Sequence, residues 1–160
     1  MVFFPRDKKV MNASREVLRK NIKELGLELL GYRPVPVDHS VPGPGAAEVE
    51  PMIEQVFVKA KDETLVNGAF ERKLFVLRNL TSHMIAHDVK GSNKEFYITS
   101  FSAKTIIYKG QLRTEQLRAY FDDLQDPRLK TALALVHSRF STNTFPNWKL
   151  AQPFRYIAHN

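Results

Sequence analysis

Residues 134–160 read ALVHSRFSTNTFPNWKLAQPFRYIAHN. The run that leads into this stretch, Leu129 to Val136, apolar apart from Lys130 and Thr131, predicts a strand buried on both faces. Directly behind it stand His137, Arg139, Ser141, Thr142 and Asn143. Neither a plain core strand nor a solvated tail calls for that set. A guanidinium just past the end of a strand offers a planar fork to a carboxylate. Ser141, Thr142 and Asn143 add short donors and acceptors. The closing residue, Asn160, carries an amide NH2 able to stabilise an oxyanion. Taken singly, each has a plainer role: Arg139 in a surface ion pair, Thr142 and Asn160 in turns. Taken together they outline a site for a small acid.

Working outward, Asp7 is placed to cap a helix. Val10, Met11, Ser14, Val17, Leu18, Ile22 and Leu25 recur behind it at helical spacing, and Gly26 stands where a C-terminal cap belongs. Leu27 to Tyr32 predicts a short strand. The Pro- and Gly-rich segment 33–51 predicts a surface loop within one domain, because the residues before it are too few to bury a core unaided. Met52 to Lys59 predicts a strand. Leu65 to Ile85 predicts a helix with Phe70, Leu74, Leu77 and Thr81 on one face. Glu95–Phe101 and Lys104–Lys109, split by Ser102-Ala103, predict a hairpin. A helix capped by Thr114 follows, with Leu117, Phe121 and Leu124 on one side, and Pro127 ends it. Helices and sheet alternate, and the hairpin argues for an α+β class over a purely parallel sheet.

Composition narrows the function. The 160 residues are 43% hydrophobic and 26% charged, which suits one folded domain. No apolar run approaches the roughly 20 residues needed to cross a bilayer, and MVFFPRDKK is too short a patch for a secretory signal. The chain therefore reads as cytoplasmic, with no membrane partner. Cysteine is absent, which excludes disulfides, thiolate metal sites and a cysteine nucleophile from these residues. The net charge of +7 would fit a basic nucleic-acid-binding module, and the 33–51 loop would fit a protein-interaction domain. Both stand as alternatives without enzymatic activity. The charges are dispersed, however, with no block of five, and a soluble basic surface accounts for them.

Metal chemistry finds little purchase. His83 and His87 share a helix face in HMIAHD, but Met84 stands where a metalloprotease helix has its glutamate, and no third ligand is near in sequence. Histidines near a helix C-terminus are favoured there by the dipole. Glu71-Arg72-Lys73 reads as the charged face of an amphipathic helix, and Asp122, Asp123 and Asp126 as a helix end followed by a turn.

The terminal segment HSRFSTNTFPNWKLAQPFRYIAHN closely resembles the strand-loop signature of the glutaminase domain of glutamate synthases, a class II glutamine amidotransferase. The family pattern runs approximately HSRFSTNT-FP-W--AQPFR---HNGEINT. FYITSFSAKTIIYKGQL at 96–112, FERKLFVLRNL and IEQVFV are similar to other family segments. The resemblance implies an N-terminal nucleophile hydrolase fold, an αββα sandwich, of which residues 1–160 would be the central part. It implies that an N-terminal cysteine attacks the side-chain amide of glutamine with its own α-amino group as base, and that the ammonia released passes to 2-oxoglutarate in glutamate biosynthesis. By position, Arg139 matches the arginine that grips the glutamine α-carboxylate. Thr142 and the backbone around Phe140 match neighbouring substrate contacts. Asn160 matches the oxyanion-hole asparagine, and His159 before it a positioning residue. Trp148, Gln152 and Arg155 belong to the signature as loop architecture. The implied cofactors of the whole enzyme are FMN and an iron–sulfur cluster, with none in these residues. The implied partners are glutamine, the remaining synthase domains, and a small reductase subunit or ferredoxin, with no nucleic acid.

Three departures set an expectation of their own. There is no nucleophilic cysteine. The glycine that follows the asparagine in the family pattern, and supplies the second oxyanion donor, lies beyond Asn160, and the acidic groups that hold the substrate α-amino group are absent as well. The chain is thus expected to be an internal fragment that holds part of a glutamine pocket and is inactive by itself.

Overall fold

Asp7 opens helix α1, Lys8–Glu24, as its sequence predicts: the carboxylate accepts from the Lys9 and Val10 amides at 2.8 and 3.0 Å. Leu18 and Ile22 of the stripe are buried, with Val10, Met11, Val17 and Leu25 packed beside them. Ser14, the polar member, is fully buried without penalty because its hydroxyl donates to the Val10 carbonyl at 2.8 Å. Gly26 terminates the helix in the left-handed region at φ 69°, with its amide on the Lys23 carbonyl.

The computed structural model describes residues 1–92, 95–140, 143–155 and 157. It divides into two units, Met1–Pro34 with Pro51–Ile106, and Val35–Glu50 with Ile107–Asn160. The first unit holds β1 (Val2–Phe4), α1, β2 (Leu27–Pro34), β3 (Met52–Ala60), α3 (Asn67–Asp88) and β4 (Tyr97–Ile98); the second holds α2 (Pro44–Glu48), α4 (Thr114–Tyr120) and a 3-10 turn, Asp122–Gln125.

In the first unit one antiparallel sheet runs in the order β2-β3-β1-β4. Val2 and Phe4 join Leu18 and Ile22 of α1, Leu74, Leu77 and Ile85 of α3, and Ile98 of β4 in one apolar cluster. A polar bridge crosses it, where Asn21 of α1 donates to Thr81 of α3 at 3.0 Å. This is the mixed helix-and-sheet architecture with antiparallel pairing that the sequence predicts. The strand β1 is an addition: three residues are too few to show a period, yet all are fully buried.

Three expectations are corrected. The hairpin does not form. Of its first arm only Tyr97–Ile98 is a strand, and it pairs with β1 rather than with residues 104–109. The Ser102-Ala103 step is instead organised on α3: Glu71 accepts from the Ser102 hydroxyl and the Ala103 amide at 2.8 and 2.7 Å, while Ser102 Oγ accepts from the Lys104 and Thr105 amides. Nor is the run 129–136 a buried strand. Leu133 is 84% and Val136 75% exposed, and no described strand pairs with it. The chain there bonds to itself, Thr131 Oγ1 donating to the Leu133 carbonyl at 2.7 Å.

In the second unit Val37 bridges Phe121, and Asp38 N–H donates to the Tyr120 carbonyl at 2.9 Å. Thr114 is the first residue of α4 rather than its cap; Arg113 takes that place, its amide donating to Gln116 Oε1. The 33–51 segment carries α2 and reaches buried Glu50, which accepts from the Tyr120 hydroxyl and lies 2.9 Å from His39 Nδ1. Among the described residues no helix is long and apolar enough to cross a membrane.

Candidate active site

The second unit contains a cavity of about 110 Å³. Its walls come from the start of α4, from residues 108–110, from 135–140 and from 151–153. The basic groups on the wall are the exposed Arg139, Arg113, which is paired with Glu115, and Lys109, whose Nζ is turned to backbone carbonyls, with His137 beside them, and no acidic side chain lies among the described lining residues. Such a rim favours an anion, and a guanidinium favours a carboxylate by its paired, coplanar N–H groups.

Arg139 is exposed and Phe140 half-buried, and both line this cavity. His137 fixes the local backbone: its Nε2 donates to the Arg139 carbonyl at 2.5 Å. A bond from a side chain to a carbonyl two residues on folds the chain over itself, which is a physical reason why Arg139 sits on a bent loop and not at a strand end. Thr142, Asn160 and His159 lie outside the described residues.

The loop 147–154 forms the facing wall. Trp148 is buried at 4% exposure, its indole N–H donating to the Ala46 carbonyl at 2.9 Å and its ring lying 5.4 Å from that of Tyr120. It lies flat against Gly110, where an added Cβ would meet Trp148 Cζ3 at 2.5 Å. Glycine is required there by close approach. We expect Gly110→Ala to destabilise the protein by about 1–3 kcal/mol through overpacking. Trp148 is the single tryptophan, so urea unfolding followed by its emission reads both the loss and any displacement of the ring. Unchanged stability and emission would contradict the packing.

Sequence reasoning missed Lys109. It sits in an apolar, β-branched run, IIYKG, where period and composition speak only of a strand. The structure buries it to 2% exposure, with Nζ donating to the Lys149 and Ala151 carbonyls at 2.9 and 2.8 Å and lying 4.7 Å from the centre of the Phe154 ring. Burial, and secondarily the nearby Arg155 charge, lowers its pKa to about 7.

The other sequence candidates are accounted for locally. His83 and His87 are exposed on α3 with their rings 4.6 Å apart, and no group of three His, Cys, Asp or Glu suited to a metal occurs among the described residues. Asp123 accepts from the Tyr108 hydroxyl, while Asp126 is clamped by Arg128, whose hydrogen bonds hold that carboxyl down to about 2. Among the described residues several basic side chains stand in separate ion pairs, Lys59–Glu28 and Arg113–Glu115 among them, and the nucleic-acid alternative is not favoured.

The sequence profile described as "Glutamine amidotransferases class-II" matches residues 1–160. Ferredoxin-dependent glutamate synthase 2, chloroplastic, of Arabidopsis thaliana is 41% identical over 160 residues, covering 100% of this chain and 10% of the relative. Glutamate synthase [NADH] of Schizosaccharomyces pombe is 43% identical over 164 residues, covering 99% of this chain and 8% of the relative. Glutamate synthase [NADPH] large chain of Bacillus subtilis is 41% identical over 160 residues, covering 100% and 10%. The chain thus spans about a tenth of the length of these relatives. Matched along its whole length, it belongs to the class II glutamine amidotransferase family.

Proposed function

We propose that residues 1–160 are the central part of a single glutamine-hydrolysing domain of a glutamate synthase, and that they hold glutamine without supplying the nucleophile. In this reading the β2-β3-β1-β4 sheet and the helices α1 and α3 are one sheet-and-helix half of an αββα N-terminal nucleophile hydrolase sandwich. The observation that carries the pocket assignment is the cavity lined by Arg139, Lys109, Arg113 and His137, with no acidic side chain among its described lining residues.

The chemistry is that of the family the chain belongs to. Arg139 grips the α-carboxylate of glutamine, with Phe140 and Thr142 as neighbouring contacts. A cysteine thiolate, its proton taken by its own α-amine, forms a bond to the amide carbon. The oxyanion of the tetrahedral intermediate is met by the Asn160 amide NH2. The carbon–nitrogen bond breaks as the nitrogen takes up a proton, and ammonia departs. Water then cleaves the thioester to glutamate and restores the thiol. The sequence contains no cysteine, so this chain alone releases no ammonia from glutamine.

The iron–sulfur cluster of the whole enzyme does not fit these residues: such clusters are held by cysteine thiolates, and there are none. Relatives named for ferredoxin, NADH and NADPH match the chain at 41%, 43% and 41% identity. The electron donor, reductase subunit or ferredoxin, is therefore chosen outside this segment.

Arg139→Ala in the full-length enzyme tests the pocket. Loss of a charge-assisted bond worth about 1.5–3 kcal/mol should raise KM for glutamine by roughly 10- to 150-fold, at about 1.4 kcal/mol per tenfold. Glutamate formation from added ammonia should be untouched. An unchanged KM for glutamine would remove Arg139 from the site.

A further inference from the structure

We propose that Lys109 is a positioning residue for glutamine binding: its Nζ ties down the Lys149–Ala151 backbone and so sets the Gln152–Pro153 wall of the cavity that Arg139 lines. The inference rests on the reading of that cavity as the glutamine pocket.

The geometry points there from both ends. Lys109 and Gly110 line the cavity, as do Ala151, Gln152 and Pro153. One side chain bridges the two segments: Nζ reaches the carbonyls of Lys149 at 2.9 Å and Ala151 at 2.8 Å, two residues apart on the loop. Only a group with at least two hydrogens at the tip of a long stem can satisfy both. The amine does so whether protonated or neutral, since even the neutral form carries two N–H bonds. The Phe154 ring lies 4.7 Å from Nζ and offers it a π face. Gly110 then lets Trp148 lie against the same backbone, so adjacent residues anchor the loop by donor and by contact. An apolar residue at 109 would fill the volume and take the lysine donor from one buried and one part-buried carbonyl, a loss the loop would relieve by moving. Such a shift displaces Gln152 and Pro153 relative to Arg139 without removing any group that grips substrate. The signature is therefore a change in KM more than in kcat.

The test uses the full-length enzyme. Lys109→Met should raise KM for glutamine about tenfold with kcat within about threefold, leave glutamate formation from ammonia unchanged, and be largely rescued by Lys109→Arg, whose guanidinium can reach both carbonyls. If Lys109→Met fails to fold, Lys109→Gln decides: its NH2 carries two N–H groups but on a stem one bond shorter, so it falls short of spanning both carbonyls and should raise KM about threefold. Unchanged KM in the Met or Gln variant, or a fall in kcat without a rise in KM, overturns the positioning role. Arg139→Ala measured alongside separates the causes. A raised KM there with an unchanged KM at Lys109 defeats this inference alone, whereas unchanged KM in both defeats the pocket reading and this inference with it.

Discussion

Phe4→Ala is expected to destabilise the protein by about 3–5 kcal/mol, the range for truncating a buried aromatic that its surroundings cannot close over. The ring is fully buried at the centre of the first unit's apolar cluster. It meets Phe96 edge-on at 5.7 Å and Tyr32 at 6.4 Å, so truncation loses ring-to-ring contacts beyond the area taken from water. Because β1 is only three residues long and lies between β3 and β4, the strands on either side cannot collapse into the gap without breaking their pairing. Against a typical domain stability of about 5–15 kcal/mol, the loss is a large fraction of the whole. Phe57, on β3 but 46% exposed, is the internal control: Phe57→Ala should cost less than about 1 kcal/mol. Urea midpoints of the two variants measure the contrast, and equal losses would mean that Phe4 is not where the cohesion lies.

What the sequence makes legible follows from how local each cause is. Helix α1 is readable end to end because cap, apolar stripe and terminal glycine all lie within one stretch and agree. Helix α3 is readable from its stripe alone, its buried Leu74, Leu77, Thr81 and Ile85 spaced as a helix face demands, while Val66 at its start makes no side-chain cap. The run 129–136 is not, because apolar residues state a need for burial without naming what supplies it, and among the described residues nothing pairs with them. The hairpin fails on a long-range cause: Glu71 of α3, some thirty residues upstream, captures the turn. At the site the split is the same. Arg139 stands out as a charged group set in a polar motif, and it does line a cavity. Lys109 is hidden within an apolar run, and its partners are carbonyls, which every residue has. Its importance shows only once the chain is folded.

Arg15→Met should cost about 3–5 kcal/mol although Arg15 is itself partly exposed. Its side chain keeps 26% of its accessibility, but its partner Glu54 keeps 4%. The guanidinium binds both carboxylate oxygens, Nε lying 3.2 Å from Oε2 and an Nη donating to Oε1. It also sits over the Tyr32 ring at 4.9 Å and the Phe4 ring at 5.7 Å. Glu54 lies in β3, paired with Val2 on one side and Pro34 on the other, so it cannot swing out to water without disturbing the sheet. Removing the cation strands a carboxylate in a place of low polarity, and that desolvation, more than the lost attraction, is the main cost. The double variant Arg15→Met with Glu54→Met should accordingly recover most of the loss, since neither charge is then left alone. Urea unfolding of both singles and the double gives the coupling directly. A loss below about 1 kcal/mol in Arg15→Met would mark the pair as an ordinary surface bridge. Because Arg15 also covers Phe4, combining Arg15→Met with Phe4→Ala should cost less than the sum of the two, as the second change removes a contact the first has already spoiled.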